Sequence, residues 1–319
     1  SALAANTTAS NNTAVGYQAG YTGTTATAVA FFGYQAGYLN TADNVTGLGS
    51  SALYNNTGAD NTAVGQTALY ANTSGVSNTA VGRQALRFNT TASQNTAVGY
   101  QAGYSNTQGF GSTFVGYQAG FSNTTGTGND SNHVAVGRAA LYYNSTGQNN
   151  VAVGYDSGYC NTTGNGNTSI GYRAYARGST VAATGNCNTA AGKFSLYSNV
   201  CGNLNTASGY ASLQENTSGC YNTAFGSFAL YANTTGHGNT AFGYAALDAN
   251  VGAVNCNTAV GYAALSENTS GGFNTAVGAQ ALFSNLTNGY NTAVGSNALR
   301  ENTGCNNTGL GAYAGASNT

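Results

Sequence analysis

The chain has 319 residues, a net charge of −1 and only 5% charged residues, against about 25% in an ordinary soluble domain. So sparse and balanced a charge gives no electrostatic reason to track nucleic acid or an anionic membrane, and no apolar run approaches the roughly 18 residues that span a bilayer. Pro is absent, which suits an unbroken ladder of strands, where a residue without an N–H fits only at edges and turns.

From Gly16 onward a glycine returns about every 17 residues, through Gly33, Gly49 and Gly65 to Gly295 and Gly311, for 18 repeats. The steps are 16 to 18 residues, except for two of 21, Gly116 to Gly137 and Gly171 to Gly192. A unit this short cannot bury a core alone, so the period predicts rungs that stack on their neighbours. With the glycine as position 0, position −3 is Thr in 15 repeats and position −1 is aliphatic or Phe in 16. Position +3 is Ala or Ser throughout, and +4 is mostly Leu or Gly. Thr-Ala-Val alternates and is β-rich, so it reads as a short strand, with Ala-Leu-Tyr as a second one. The Asn-Thr-Thr-Gly remainder is turn chemistry.

The expected fold is therefore all-β, a β-solenoid of about 18 rungs forming one repetitive domain over 1–319. The aliphatic column at −1 and the Leu column at +4 are expected to form a thin core, thinnest at Ala191 and Ser208. The 21-residue steps place insertions near 125–133 and 178–188, and these loops, with Arg138, Arg173 and Arg177, are the first place to look for a specific contact. Ser1-Ala2-Leu3 repeats Ser51-Ala52-Leu53, so the chain is expected to be a segment of a longer or processed polypeptide.

Asn recurs at +7 in 16 repeats. In nine it heads an Asn-x-Ser/Thr acceptor: Asn72, Asn89, Asn123, Asn144, Asn161, Asn216, Asn233, Asn268 and Asn285. Asn6, Asn11, Asn44, Asn55, Asn129, Asn167 and Asn306 head others. Two readings stand: a stacked Asn ladder that closes a turn, or a row of N-linked glycans on one edge of the stack. The 23 Tyr residues, mostly at +1 and +5, read as stacked packing or as an aromatic strip that grips sugar rings or another surface. Of six cysteines, Cys201 and Cys220 lie on adjacent rungs and are the candidate disulfide. The eight carboxylates are scattered, and His133 and His237 lack a matched nucleophile. The expectation is no enzyme, no metal and no cofactor.

The phrases Asn-Thr-Ala-Val-Gly-Tyr-Gln-Ala-Gly-Tyr (95–104) and Asn-Thr-Ala-Phe-Gly-Tyr-Ala-Ala-Leu (239–247) resemble the head repeats of trimeric autotransporter adhesins. They are more similar still to the Asn-Thr-Ala-Val-Gly-Tyr-Gln-Ala-Leu repeats of tail-fibre-like surface proteins of bacteria and phages. The resemblance covers essentially the whole chain. It implies a left-handed parallel β-roll assembled as a homotrimer, with an extracellular, cell-surface or virion-surface location. The period is longer here than in the adhesin heads, so the turns are larger. The function it implies is that of a fibrous structural glycoprotein, an adhesin head, tail-fibre shaft or surface filament used for reach and attachment. Its partners would be further copies, as a trimer or an end-to-end filament, and a cell-surface glycan or receptor. Neither nucleic-acid binding nor membrane insertion is expected. The alternative is a glycan- or ice-binding solenoid module, in which an outward Thr column orders water or meets a repeating target.

Overall fold

Three residues per repeat are extended, and their alternation decides the architecture. The computed structural model describes residues 1–124, 131–177, 182–251 and 256–318. The chain divides into two units, Ser1–Thr163 and Gly164–Thr319. In the first, nine strands from Thr13–Val15 to Val151–Val153 pair in parallel, each with the next in sequence. In the second, nine more run from Thr168–Ile170 to Thr308–Leu310 in the same way. Among the described residues there is no helix. The architecture is a parallel β-solenoid.

Register holds whatever the repeat length. Thr62, Ala63 and Val64 pair with Thr79, Ala80 and Val81, and across a 21-residue step Thr113 still pairs with Val134. Each turn therefore absorbs its extra residues without disturbing the strands. Of the insertions expected near 125–133 and 178–188, residues 125–130 and 178–181 lie outside the described residues.

The core is not the one the aliphatic column suggests. In a strand, successive side chains point to opposite faces, so Thr at −3 and Val at −1 share a side and the residue between them takes the other. That residue, usually Ala, is the buried one: Ala63, Ala80, Ala97, Ala224 and Ala276 are all fully enclosed. Val15 is 56% exposed and Ile170 46%. The small Ala fits because the opposing wall is close, and that wall supplies Ala at +3 and Leu at +4, such as Ala68 and Leu69. Ala191 and Ser208 consequently thin the outer surface and not the core, where Ala190 and Ala207 remain buried.

At four of the six glycines in place of Leu at +4, the choice follows from the same volume. Phe31 stands in place of Ala on the rung of Gly37 and faces both Gly37 and Gly20 of the rung before, and Phe114 on the rung of Gly120 likewise faces Gly120 and Gly103. A Cβ on Gly103 would stand 2.8 Å from the Phe114 ring, and one on Gly37 or Gly120 would lie inside the facing ring's contact distance. One large side chain thus fills from the strand the space that Leu fills from the turn.

The Ala-Leu-Tyr stretch is a turn and not the expected second strand. Positions +2 and +4 are left-handed, as at Gln84 (φ 64°) and Leu86 (φ 48°), and two such residues cannot continue an extended chain. Rung-to-rung bonds persist through it all the same, as from Leu69 N–H to Ala85 O at 3.0 Å. The repeat glycine has a stricter reason. Gly82 has φ 133°, and a Cβ there would sit 2.7 Å from the carbonyl carbon of Gly99 on the next rung.

Candidate interaction surface

Two buried Asn columns hold the turns, and one of them carries the candidate acceptor sites. At +7, Asn72 donates to Asn56 Oδ1 at 2.6 Å and Asn89 to Asn72 Oδ1 at 2.7 Å. The same amides close their own turns onto Gly75 O and Ala92 O. All nine, Asn72, Asn89, Asn123, Asn144, Asn161, Asn216, Asn233, Asn268 and Asn285, are fully buried. A sugar on any of them would displace ladder hydrogen bonds and have no room, so this column is not an outer edge available for decoration. The second column, at −4, is one that sequence reasoning missed as a ladder. Asn78 N–H donates to Asn61 Oδ1 at 2.8 Å and Asn95 N–H to Asn78 Oδ1 at 3.0 Å. Its signal was present as the Asn that opens each Asn-Thr-Ala-Val-Gly phrase. Of the remaining acceptors, Asn11, Asn44 and Asn306 are exposed, Asn6 and Asn55 are half-buried, Asn167 is buried, and Asn129 lies outside the described residues.

None of the six cysteines, all of them described, is bridged. Cys201 and Cys220, the candidate pair, are separate thiols. The Asn203 N–H donates to Cys220 Sγ at 3.2 Å, and Cys201 is exposed on its own turn.

Ionisable groups follow their rungs. Arg138 pairs with Asp156 at 3.3 Å and lies over the Tyr117 and Tyr155 rings. Arg177 donates to Ser198 O at 3.3 Å, and Arg300 pairs with Glu301 at 3.0 Å. His133 replaces Asn in the −4 column and is buried. Asn150 N–H donates to its Nδ1 at 3.3 Å, and its Nε2 lies 3.1 Å from the Asn144 amide nitrogen. Burial lowers its pKa to about 4, against which hydrogen bonds to Asn150 and Gly147 push weakly upward. Burial also raises Asp248 and pushes Tyr175 up to about 12. Among the described residues, no three His, Cys, Asp or Glu side chains gather closely enough to hold a metal ion, and no helix is long and apolar enough to cross a membrane.

What the fold does assemble is an outward side. It carries mostly Thr at −3, an apolar residue at −1 except at Ser208, and at +1 mostly Tyr or a polar group, with Ala279 and Ala312 and the cations Arg83, Arg138 and Lys193. Phe32, Val98, Phe242, Val260, Val277 and Val294 are exposed along it. No charged residue occupies any of the −3 or −1 positions. Beside it, at +5, rings stack from rung to rung. Tyr21, Tyr38, Tyr54 and Tyr70 follow at centroid separations of 5.3, 5.0 and 5.1 Å. Tyr104, Phe121, Tyr142 and Tyr159 follow at 4.9, 4.9 and 5.2 Å. The +5 column is thus a half-buried seam, and the chemistry left for partners lies on the Thr/Val side and on the irregular aromatic rungs.

No protein-family model and no curated protein matches the chain.

Proposed function

We propose that this chain is a structural repeat of an extracellular or surface fibre, an adhesin head, tail-fibre shaft or filament, that works by packing against further copies of itself. The observation that carries this reading is the outward side, with exposed Val, Phe and Ile at −1 and no charged residue at −3 or −1. Large exposed apolar patches mark association sites, and the −3 and −1 columns, being without charges, cost little to desolvate. Nine strands at about 4.8 Å, over a width of about 13 to 20 Å, give roughly 600–900 Å² for each unit. A standard interface uses about 800 Å² per partner. A homotrimer is the assembly implied by the resemblance to adhesin heads, with glycans or a receptor as surface targets. Cryo-electron microscopy of native material tests the reading. Copies packed through the Thr/Val side, in threefold symmetry, are expected; separate chains with that side open to solvent contradict it.

The same Thr column favours a second reading. It faces outward and is in register from rung to rung, as at Thr62 and Thr79, which is the arrangement needed to order water at an ice surface. A thermal-hysteresis measurement separates the two: hysteresis supports the ice-binding module, and its absence removes it.

A further inference from the structure

Column +1 admits one kind of ring. It holds nine Tyr and no Phe, although Phe serves at −1 (Phe225), at +2 (Phe228) and at +5 (Phe121). Exposure does not explain the preference, because Phe242 and Phe273 are exposed as well. Stacking does not explain it either, because it asks only for an aromatic face. What the column retains is the phenol.

These phenols come in pairs. Tyr17 and Tyr34, Tyr100 and Tyr117, and Tyr244 and Tyr262 stand on neighbouring rungs. Their ring centroids are 5.6, 5.3 and 5.5 Å apart, with planes 12°, 19° and 10° from parallel. Both members of a pair leave equivalent positions of the repeat, so the ring carbons beside one hydroxyl lie near their counterparts on the next rung. Five of the six rings are exposed, and Tyr100 is half-buried. The +5 seam also stacks, but there burial raises the pKa of Tyr54 and Tyr142 and pushes Tyr159 up to about 12, so its phenols release their protons less readily. Arg83 and Arg138 lie over the Tyr100 and Tyr117 rings at 5.8 and 5.9 Å. A cation over a ring attracts its electrons and opposes their removal, which leaves the other two pairs the more readily oxidised.

We propose that the paired +1 tyrosines are oxidative cross-linking sites, at which a peroxide-driven one-electron oxidant joins neighbouring rungs through dityrosine. Each phenol loses one electron and one proton. The two radicals form a carbon–carbon bond between ring carbons next to the hydroxyls, and the hydrogen on each of those carbons passes to oxygen, restoring both phenols. One hydrogen peroxide takes up the two electrons and two protons and becomes two waters. The bond closes a loop of one repeat and restricts the unfolded chain, in a protein whose cysteines are unbridged. Both rings of each pair belong to one chain, so the inference does not rest on self-packing.

Oxidation by peroxidase and hydrogen peroxide, with the chain below the micromolar range, tests it. Trypsin releases Tyr17 with Tyr34 in peptide 1–83, and Tyr244 with Tyr262 in peptide 194–300. Each peptide is expected to lose two hydrogens, with fragmentation placing the bond at the named pair. Tyr34→Phe and Tyr262→Phe keep the rings and should each lower the yield in their own peptide at least tenfold. Tyr38→Phe, in the +5 seam, and Tyr221→Phe, exposed in another column, should leave both yields unchanged. Tyr17 should bond Tyr34 in preference to Tyr21, which is nearer in sequence but in the other column. Absence of dityrosine overturns the proposal. So does dityrosine formed only between chains, a bond from Tyr17 to Tyr21 as frequent as that to Tyr34, or yields that survive Tyr34→Phe and Tyr262→Phe.

Discussion

At Thr96-Ala97-Val98 the middle side chain is fully buried and the last is 38% exposed, and strand after strand repeats that split. The buried side is nearly invariant because each residue packs against its own copy on the next rung. A change there is felt by two neighbours and must suit both. The outer side meets solvent, so Val, Phe, Ile, Ala and Ser all occur at −1. Stability thus resides in the monotonous columns, and the variable ones are left for recognition.

The glycine column gives the hardest test of that division. Gly82→Ala places a Cβ 2.7 Å from the Gly99 carbonyl carbon at φ 133°, and should cost upwards of about 4 kcal/mol. Urea denaturation would show it as a collapsed midpoint or an unfolded chain. Phe114→Ala should cost about 3–4 kcal/mol. Adding Gly120→Leu should recover part of that loss, because Leu occupies the same left-handed position at Leu86 and Leu230. A double variant no better than the single one would break the volume-exchange argument.

His133 supplies a pH-dependent probe of the inner side. Its folded pKa of about 4 lies below the ordinary 6.5, so the unfolded chain takes the proton first. Stability should be constant above about pH 6.5, fall as pH drops towards 4, and level off below. The total is about 3 kcal/mol. His133→Asn should remove that slope by restoring the ladder residue, and an unchanged slope would mean that other groups carry it. The smallest effect on stability belongs outside. Val260→Lys with Val294→Lys should change the unfolding free energy of the dissociated chain by no more than about 0.5 kcal/mol for each site.

The repeat, the parallel stack and the turn-closing Asn column are legible from sequence, because period and alternation are geometric. Which face of Thr-Ala-Val turns inward is not, since hydrophobicity ranks Val above Ala while the narrow interior admits only the smaller. The left-handed Leu at +4 is also hidden, because only tertiary packing holds Leu86 at φ 48°. Acceptor triplets mislead for a related reason: the ladder that repeats Asn at +7 is what buries it. The exposed acceptors Asn11 and Asn44 stand at −5, where the surface begins.

Sedimentation equilibrium of the unaltered chain beside the Val260→Lys, Val294→Lys variant tests the central claim most directly. The unaltered chain should assemble at micromolar concentration, with a mass three times that of the monomer, and the variant should stay monomeric with an unchanged circular dichroism spectrum. An unaltered chain that remains monomeric at 100-fold higher concentration, or a variant that assembles equally well, would contradict self-association through the outward face.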